Sequence, residues 1–363
     1  MSTPHNALPA DAPRVGVLPS GPLDLISDVA GVKVGHATLA RGALQTGVTV
    51  VIPHARDELL YKAPAAAAVI NGFGKSVGLM QVDELGVLET PIALTNTFSV
   101  GAVAAAQIRT AVARHPEIGR TWPTLNPLVF ECNDGYLNDI QAMAVTAAHY
   151  AHACGSAAAV FEQGSVGAGR GMSCFGFKGG IGSASRVATG TDGRRFTVGA
   201  LVLANFGRLP DLTVAGQPLG RRLAAAGADP ACAEPEKGSI IMIVATDAPL
   251  DVRQLRRVAT RAAAGLARTG SVYGHGSGDI ALAFSSAYQI PQRPDEPMPA
   301  LPMLHETHVD ALFHACAEAV EQAIVHALWR ATPVTGRDGH HRRAIADALP
   351  DWREPRDPPT REE

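Results

Sequence analysis

The chain has 363 residues, of which 46% are hydrophobic and 18% are charged, so it can bury a large core. Its net charge of −3 excludes the basic footprint of proteins that bind nucleic acid or anionic membranes. The five cysteines are odd in number and widely spaced, and they form no C-x-x-C pair. This pattern predicts neither a disulfide framework nor a zinc site, and we expect no metal and no cofactor.

The N-terminal residues lack the basic and apolar regions of a signal peptide. No uninterrupted apolar stretch reaches about 18 residues, so we expect no membrane span. Together with the cysteine pattern, this predicts a cytoplasmic protein.

The first half of the chain alternates predicted strands with predicted helices. Runs of β-branched residues ended by proline or glycine predict strands, and alanine-rich stretches with apolar residues at helical spacing predict helices. In chain order these are a strand broken by a turn within 25–34, strands at 47–53 and 91–97, a helix at 100–114, a strand running into a polar turn within 127–136, and a helix at 139–153.

The second half opens with a dense glycine cluster between Gly164 and Gly182, which predicts a loop around a compact site or a tight sheet. There follow a strand at 197–205, an exposed connection at 208–232, a buried strand at 240–247, an amphipathic helix at 251–270, a strand at 280–284 and a long helix at 307–331. This order predicts one large α/β domain with helices covering stacked sheets.

Two glycine-rich segments resemble nucleotide-binding motifs, but each lacks a glycine that its motif requires. Gly74-Lys75-Ser76 would need a glycine at position 69 to form a P-loop, and that position is valine. A dinucleotide fingerprint starting at Gly167 would need a glycine where Met172 stands. The sequence therefore does not support nucleotide binding.

The junction Gly238-Ser239 lies directly before the predicted buried strand. A strand opening holds a serine rigidly, and a preceding glycine leaves its carbonyl carbon open to attack. No G-x-S-x-G elbow surrounds Ser239 and no histidine lies in a recognisable catalytic motif, so its base need not be histidine. If the junction is cut, the new α-amino group, with an ordinary pKa of about 7.7–8.0, can accept the hydroxyl proton. The alternative is an ordinary turn that leads into a strand.

An ordered series of sequence blocks resembles the DmpA family, which comprises the L-aminopeptidase/D-amino-acid esterases and the β-peptidyl aminopeptidases. The blocks are TGVTVV at 46–51, NGFG at 71–74, LTNT at 94–97, NDGYLND at 133–139, VGAG at 166–169, CFGFKGGIG at 174–182, GSII at 238–241 and GSGDI at 276–280. They keep their order from about residue 25 to the final helix, which makes the series more specific than any one motif.

The resemblance implies a single domain over 1–363 with an αββα sandwich, similar to N-terminal-nucleophile hydrolases but with different connectivity. It implies self-cleavage into 1–238 and 239–363, two chains that stay together and assemble further, as a tetramer of pairs. The implied activity is that of a self-processing aminopeptidase. It would release N-terminal amino acids from short peptides, amides or esters through an acyl-enzyme on Ser239.

The resemblance also implies the catalytic residues. Ser239 would be the nucleophile, and the side chain of Asn205 would donate to the oxyanion. Ser277 and Asp279 would assist proton transfer and hold the new amine. Some relatives carry glutamate where this chain has Asp279. Read from the residues alone, Asn205 and the Ser277-Gly278-Asp279 segment are also ordinary turn residues.

Substrate binding is implied for two further positions. Glu131 would bind the free amino group of the substrate, although its polar surroundings also suit a solvated sheet edge. Relatives use a tyrosine in the same loop, and either Tyr136 or Asn133 would fill that place here.

Two alternative functions stay open at this point. One is an acyltransferase of the ornithine acetyltransferase type, in which the junction residue is usually threonine, so Ser239 argues against it. The other is an unprocessed scaffold protein without activity. The sequence leaves open whether α- or β-peptides are preferred, and which stereochemistry.

Overall fold

The computed structural model describes residues 12–225, 238–297 and 299–349. Its strands are β1 (Lys33–Arg41), β2 (Leu44–Ile52), β3 (Tyr61–Gly72), β4 (Val87–Leu88), β5 (Ile92–Asn96), β6 (Val129–Cys132), β7 (Ser173–Cys174), β8 (Phe177–Lys178), β9 (Gly180–Thr189), β10 (Arg195–Asn205), β11 (Ser239–Thr246), β12 (Gly278–Ser285), β13 (Ile290–Pro291), β14 (Val334–Thr335) and β15 (His341–Arg342). Its α-helices are α1 (Leu79–Leu85), α2 (Val100–Arg114), α3 (Ala147–Gly155), α4 (Leu219–Ala225), α5 (Val252–Arg268), α6 (Val309–Trp329) and α7 (Ile345–Ala348).

Two sheets organise these elements. The small sheet has the order β1-β2-β5-β6, and the large sheet has the order β13-β3-β12-β11-β10-β9, with β4 paired to β3. Two neighbouring pairs are parallel, namely β5 with β6 and β11 with β12. Parallel neighbours need a long crossover, and α2 and α5 supply it. Short hairpins pair β7 with β8 and β14 with β15.

Three apolar clusters separate four layers. One lies between the small sheet and α2 and α3, and it includes Val103. The second lies between the two sheets and includes Phe130 and Ile241. The third lies between the large sheet and α5 and α6, and it includes Ile240 and Val320. Successive residues of β11 thus enter different clusters, because strand side chains alternate between faces. This layering confirms the predicted αββα sandwich.

The helix α5 follows directly from its sequence. The carboxylate of Asp251 accepts the backbone N–H of Gln254 at 2.6 Å, and the Gln254 side chain accepts the N–H of Asp251, which forms a capping box. Gly270, with φ of +104°, ends the helical path of the chain after α5. The predictions of α2, α5 and α6 are confirmed within a few residues at each end.

Two predicted elements are wrong in part. The segment predicted as a strand from residue 25 begins with a 3₁₀ turn, because the carboxylate of Asp28 accepts the N–H groups of Leu23 and Leu25. The helix predicted at 139–153 begins only at Ala147. Before it, Met143 adopts a φ of +43°, which interrupts a helix.

The predicted connection 208–232 is less exposed than expected. Within its described part it contains α4, and Leu209, Leu212 and Leu223 are buried in the cluster under α5 and α6. Residues 226–232 lie outside the described residues. Across the described ranges, no helix is both long enough and apolar enough to cross a bilayer.

Candidate active site

Ser239 is the first residue of β11 and lies at one end of the large sheet. It is the register partner of Asn205, the last residue of β10, and of Gly278, the first residue of β12. Ser239 is only 6% exposed, and strand alternation puts its side chain on the face of Ile241, towards the small sheet. Three segments that are distant in sequence therefore meet at the predicted nucleophile.

The hydroxyl group of Ser239 is oriented by the backbone. The N–H of Gly278 donates to its Oγ at 3.1 Å, and within the described ranges no atom accepts the hydroxyl hydrogen. A Cβ atom at Gly278 would lie 2.9 Å from the carbonyl oxygen of Phe73, so this position requires glycine. The contact fixes Oγ and leaves its proton free for a base.

Asn205 has a fixed amide orientation. Its Oδ1 accepts the backbone N–H of Ser173 at 2.9 Å, and its Nδ2 donates to the carbonyl oxygen of Asn133 at 3.0 Å. The amide has a second N–H, for which the described part of the chain provides no acceptor. A buried amide donor beside a serine hydroxyl has the chemistry of an oxyanion hole.

Ser277 and Asp279 form a buried pair on either side of Gly278. The hydroxyl of Ser277 donates to Oδ1 of Asp279 at 2.6 Å. The Asp279 side chain is therefore long enough to reach Ser277. The Nδ2 of Asn71 donates to the carbonyl oxygens of Gly274 and Ser277, which holds the preceding loop against β3.

Glu131 lies near the end of β6 and is 3% exposed. Its Oε1 accepts the backbone N–H of Lys75 at 2.8 Å, and its Oε2 accepts the hydroxyl of Thr97. No cationic side chain in the described ranges pairs with it. Gly74 lies near both the Glu131 carboxylate and Gly278, the strand neighbour of Ser239. A Cβ atom at Gly74 would lie 3.7 Å from Oε1 of Glu131 and 3.8 Å from Cα of Gly278. A buried carboxylate held only by uncharged donors is suited to bind a cation.

The two candidates for the family's tyrosine position lie in different surroundings. The ring of Tyr136 stacks on His340 with centroids 4.5 Å apart, and the guanidinium of Arg342 lies 3.7 Å from its centre. Within the described residues, no hydrogen bond or ring contact joins it to another predicted site residue. Asn133 instead contacts Asn205 through its carbonyl oxygen. The geometry favours Asn133 as the neighbour of the site.

Asp134 follows Asn133 and is fully buried. Burial raises the pKa of its carboxyl group to about 7, although Asn138 donates to Oδ1 at 3.0 Å. The loop that holds Asn205 thus contains a group that titrates near neutral pH.

Lys178 explains the dense glycine cluster. Its side chain is fully buried, and burial holds its pKa well below the ordinary value. The Nζ donates to three backbone carbonyl groups at 2.8–2.9 Å, those of Gly169, Met172 and Gly179. The cluster is a tight loop around this side chain, and it positions the N–H of Ser173 that holds Asn205. Sequence reasoning did not identify Ser173 or Thr97 as site residues, although Thr97 belongs to the LTNT block.

A cavity of about 150 Å³ lies elsewhere, beside α2 and α3. None of the predicted site residues lines it. Among its polar side chains, Asp57 lies 2.8 Å from Nε2 of His115 and 3.2 Å from Arg114. These contacts give the cavity's polar side chains partners within the chain, and we assign the cavity no catalytic part.

Comparison of the sequence with known proteins identifies its relatives. The sequence profile of peptidase family S58 matches residues 24–342. The β-peptidyl aminopeptidase BapA of Sphingosinicella xenopeptidilytica is 39% identical over 338 residues, which are 87% of this chain and 83% of the relative. BapA of Sphingosinicella microcystinivorans is 39% identical over 344 residues, which are 88% and 85% of the two chains.

Comparison of the fold gives the same result. The PH0078 protein of Pyrococcus horikoshii OT3 has a TM-score of 0.87 and 47% identity, covering 94% of this chain and 97% of that one. A Burkholderia sp. β-aminopeptidase has a TM-score of 0.83 and 42% identity, covering 93% and 96%. The L-aminopeptidase D-Ala-esterase/amidase of Ochrobactrum anthropi has a TM-score of 0.84 and 35% identity, covering 94% and 97%. It is described as a prototype serine aminopeptidase and a new variant of the Ntn hydrolase fold.

Proposed function

Because the chain belongs to peptidase family S58 and is a serine-type aminopeptidase, we propose that it cuts itself between Gly238 and Ser239 and then uses Ser239 as its nucleophile. The observation that carries this proposal is the geometry around Ser239. The backbone N–H of Gly278 on β12 donates to its Oγ, and Asn205, whose amide is oriented by Ser173 and Asn133, is its register partner on β10.

In the self-cleavage step, Oγ of Ser239 attacks the carbonyl carbon of Gly238. The C–N bond breaks, the nitrogen takes a proton, and an ester joins the two parts. Water then hydrolyses the ester, which leaves a carboxylate on Gly238 and a free amine on Ser239. The close approach at Gly238 supports this step, since a Cβ atom there would lie 2.5 Å from Cα of Phe206 and collide with the carbonyl oxygen of Asn205.

In the peptidase reaction, the α-amine of Ser239 accepts the hydroxyl proton while Oγ attacks the substrate carbonyl. The second N–H of Asn205 donates to the oxyanion that forms. The proton passes to the leaving amine, and the acyl-enzyme is hydrolysed by water with the same α-amine as base. Ser277, oriented by Asp279, would hold the α-amine, since this pair flanks the register partner of Ser239.

We propose Glu131 as the site for the substrate's ammonium group, because its carboxylate is buried and has no cationic partner in the described ranges. It also lies near Gly74, which packs against Gly278, the register partner of Ser239. This role would make the enzyme prefer substrates with a free amino group, namely short peptides, amides and esters. Three of the relatives are named β-peptidyl aminopeptidase or β-aminopeptidase, so substrates with an N-terminal β-amino acid should be tested beside α-amino ones.

We further propose that processed pairs assemble as a tetramer of pairs in the cytoplasm. Large apolar side chains on the described surface support an assembly, because contact with another copy would remove them from water. Val69, Met80 and Val272 are 59–89% exposed. Light scattering after size exclusion would measure the mass, and a monomeric pair would contradict this assembly.

Intact mass under denaturing conditions tests the central proposal. Wild type should give two chains that divide between Gly238 and Ser239, and Ser239→Ala should give one. Ser285→Ala is a matched control, since Ser285 is also buried in the large sheet but donates to the carbonyl oxygen of Ala248 at 2.6 Å. It should still give two chains. If wild type gives one full-length chain, Ser239 has no free α-amine and the proposed base is wrong.

A further inference from the structure

Thr97 is held in place before any substrate binds. It opens a short 3₁₀ turn, Thr97–Ser99, directly after β5. Oδ1 of Asn96 accepts the backbone N–H of Ser99 at 3.0 Å, and Nδ2 of Asn96 donates to the hydroxyl of Thr46 at 2.8 Å. The buried side chain of Asn96 therefore links the turn to β2. The backbone that carries the Thr97 hydroxyl is therefore fixed by the fold.

The two donors to Glu131 act on different oxygens. Thr97 donates to Oε2, and the backbone N–H of Lys75 donates to Oε1 at 2.8 Å. Together they define the plane of the carboxylate, because a planar group held at both oxygens cannot rotate. Both donors are uncharged, so neither of them offsets the charge of the carboxylate. Each oxygen also keeps acceptor capacity for a third donor.

We propose that Thr97 is a positioning residue for amino-group recognition. It holds the Glu131 carboxylate at the angle that receives the substrate's ammonium group, without neutralising that charge. The inference rests on the role proposed for Glu131. Loss of the hydroxyl would free one carboxylate oxygen, so the penalty would fall on substrates that carry an amino group.

The test compares two substrates that differ only in that group, alanine p-nitroanilide and its des-amino analogue, propionic acid p-nitroanilide. For Thr97→Val, we expect kcat/KM on the alanine compound to fall about 10- to 100-fold, mainly through KM, because a hydrogen bond to a charged group is lost. The des-amino compound should change less than about twofold. Thr97→Ser keeps the hydroxyl and should restore the alanine activity.

Thr95→Val is the matched control. Thr95 lies two residues earlier, is buried, and donates its hydroxyl to the carbonyl oxygen of Gly47 at 3.0 Å. Its loss should leave the ratio of the two substrates unchanged. An equal loss on both substrates for Thr97→Val would make Thr97 merely structural, and no loss would remove its role. If the valine variant folds poorly, Thr97→Ala gives the same comparison. All rates refer to processed enzyme.

Glu131→Gln separates this inference from the proposed function. If Glu131→Gln does not change the substrate ratio, the proposed role of Glu131 is wrong. If Glu131→Gln changes the ratio and Thr97→Val does not, only the inference about Thr97 is wrong. Where both change it, the double variant should lose no more selectivity than Glu131→Gln alone, because Thr97 acts through that carboxylate.

Discussion

The central strands β10, β11 and β12 carry buried polar side chains at both ends, and the two ends satisfy them differently. At the end away from Ser239, the hydroxyl of Thr246 donates to the carbonyl oxygen of Thr197 at 2.8 Å and accepts the N–H of Ala248 at 3.1 Å. Ser285 donates to the carbonyl oxygen of Ala248 at 2.6 Å. These two hydroxyl groups each have a backbone acceptor.

At the other end, Ser239 and Asn205 are also buried, with 6% and 7% exposure, but each keeps one polar hydrogen without an acceptor in the described ranges. A buried donor without a partner costs stability and is rare in folded proteins. Such groups persist where a reaction uses them. The difference between the two ends supports the active site proposed at Ser239.

Removing the spare donor should have the largest effect. Asn205→Ala should lower kcat about 10²- to 10³-fold, the usual result of losing one oxyanion-hole donor, with a smaller change in KM. Steady-state kinetics on processed enzyme would measure this. An unchanged kcat would mean that the second N–H of Asn205 does not face the reacting carbonyl.

Gly238→Ala should come next. The added methyl group has no space beside Phe206 and the carbonyl of Asn205, so the scissile carbonyl must shift relative to Oγ. We expect cleavage to slow by at least about tenfold, since a displacement of about 1 Å can cost 100-fold in rate. A time course of intact mass after synthesis would follow it. Gly193→Ala is a control that meets no atom within 4 Å, although its φ is +79°. Cleavage of Gly238→Ala at the wild-type rate would contradict the expected displacement.

The end away from Ser239 should give the smallest effect on activity. Thr246→Val removes a hydroxyl with a donated and an accepted hydrogen bond, so the free energy of unfolding should fall by about 1–3 kcal/mol. Urea unfolding would measure that loss, and kcat/KM should stay at the wild-type value. A loss of activity comparable with that of Asn205→Ala would remove the distinction between the two ends.

The αββα layers were implied by the family resemblance. From periodicity and glycine stops, which are local signals, sequence reasoning predicted α2, α5 and α6 and the strands β2, β5, β10, β11 and β12, but it did not predict β3. It placed the start of α3 too early. The backbone N–H of Asp139 donates to the carbonyl oxygen of Ala43 at 2.8 Å, which ties this segment to the β1–β2 turn. Such a contact between residues far apart in sequence leaves no periodic pattern.

The site divides in the same way. The junction with a buried strand made Ser239 a candidate nucleophile and the family resemblance then implied that role, whereas Glu131 was named only through the resemblance. The contacts that make its carboxylate useful come from Lys75 and Thr97, 56 and 34 residues away in the sequence. Only the packing of β3 and the two small-sheet strands brings these donors together.

The strand order of the large sheet has a consequence for folding. Strands β3, β9 and β10 precede Gly238, β11 to β13 follow it, and β3 lies between β12 and β13. The N–H of Val15 also donates to Oε1 of Gln322 on α6 at 2.8 Å. The two parts are interleaved, so a cut enzyme could separate only by unfolding. Refolding of the cut enzyme would then be a second-order reaction, and its midpoint of thermal unfolding would depend on protein concentration. Uncut Ser239→Ala would refold as a single chain.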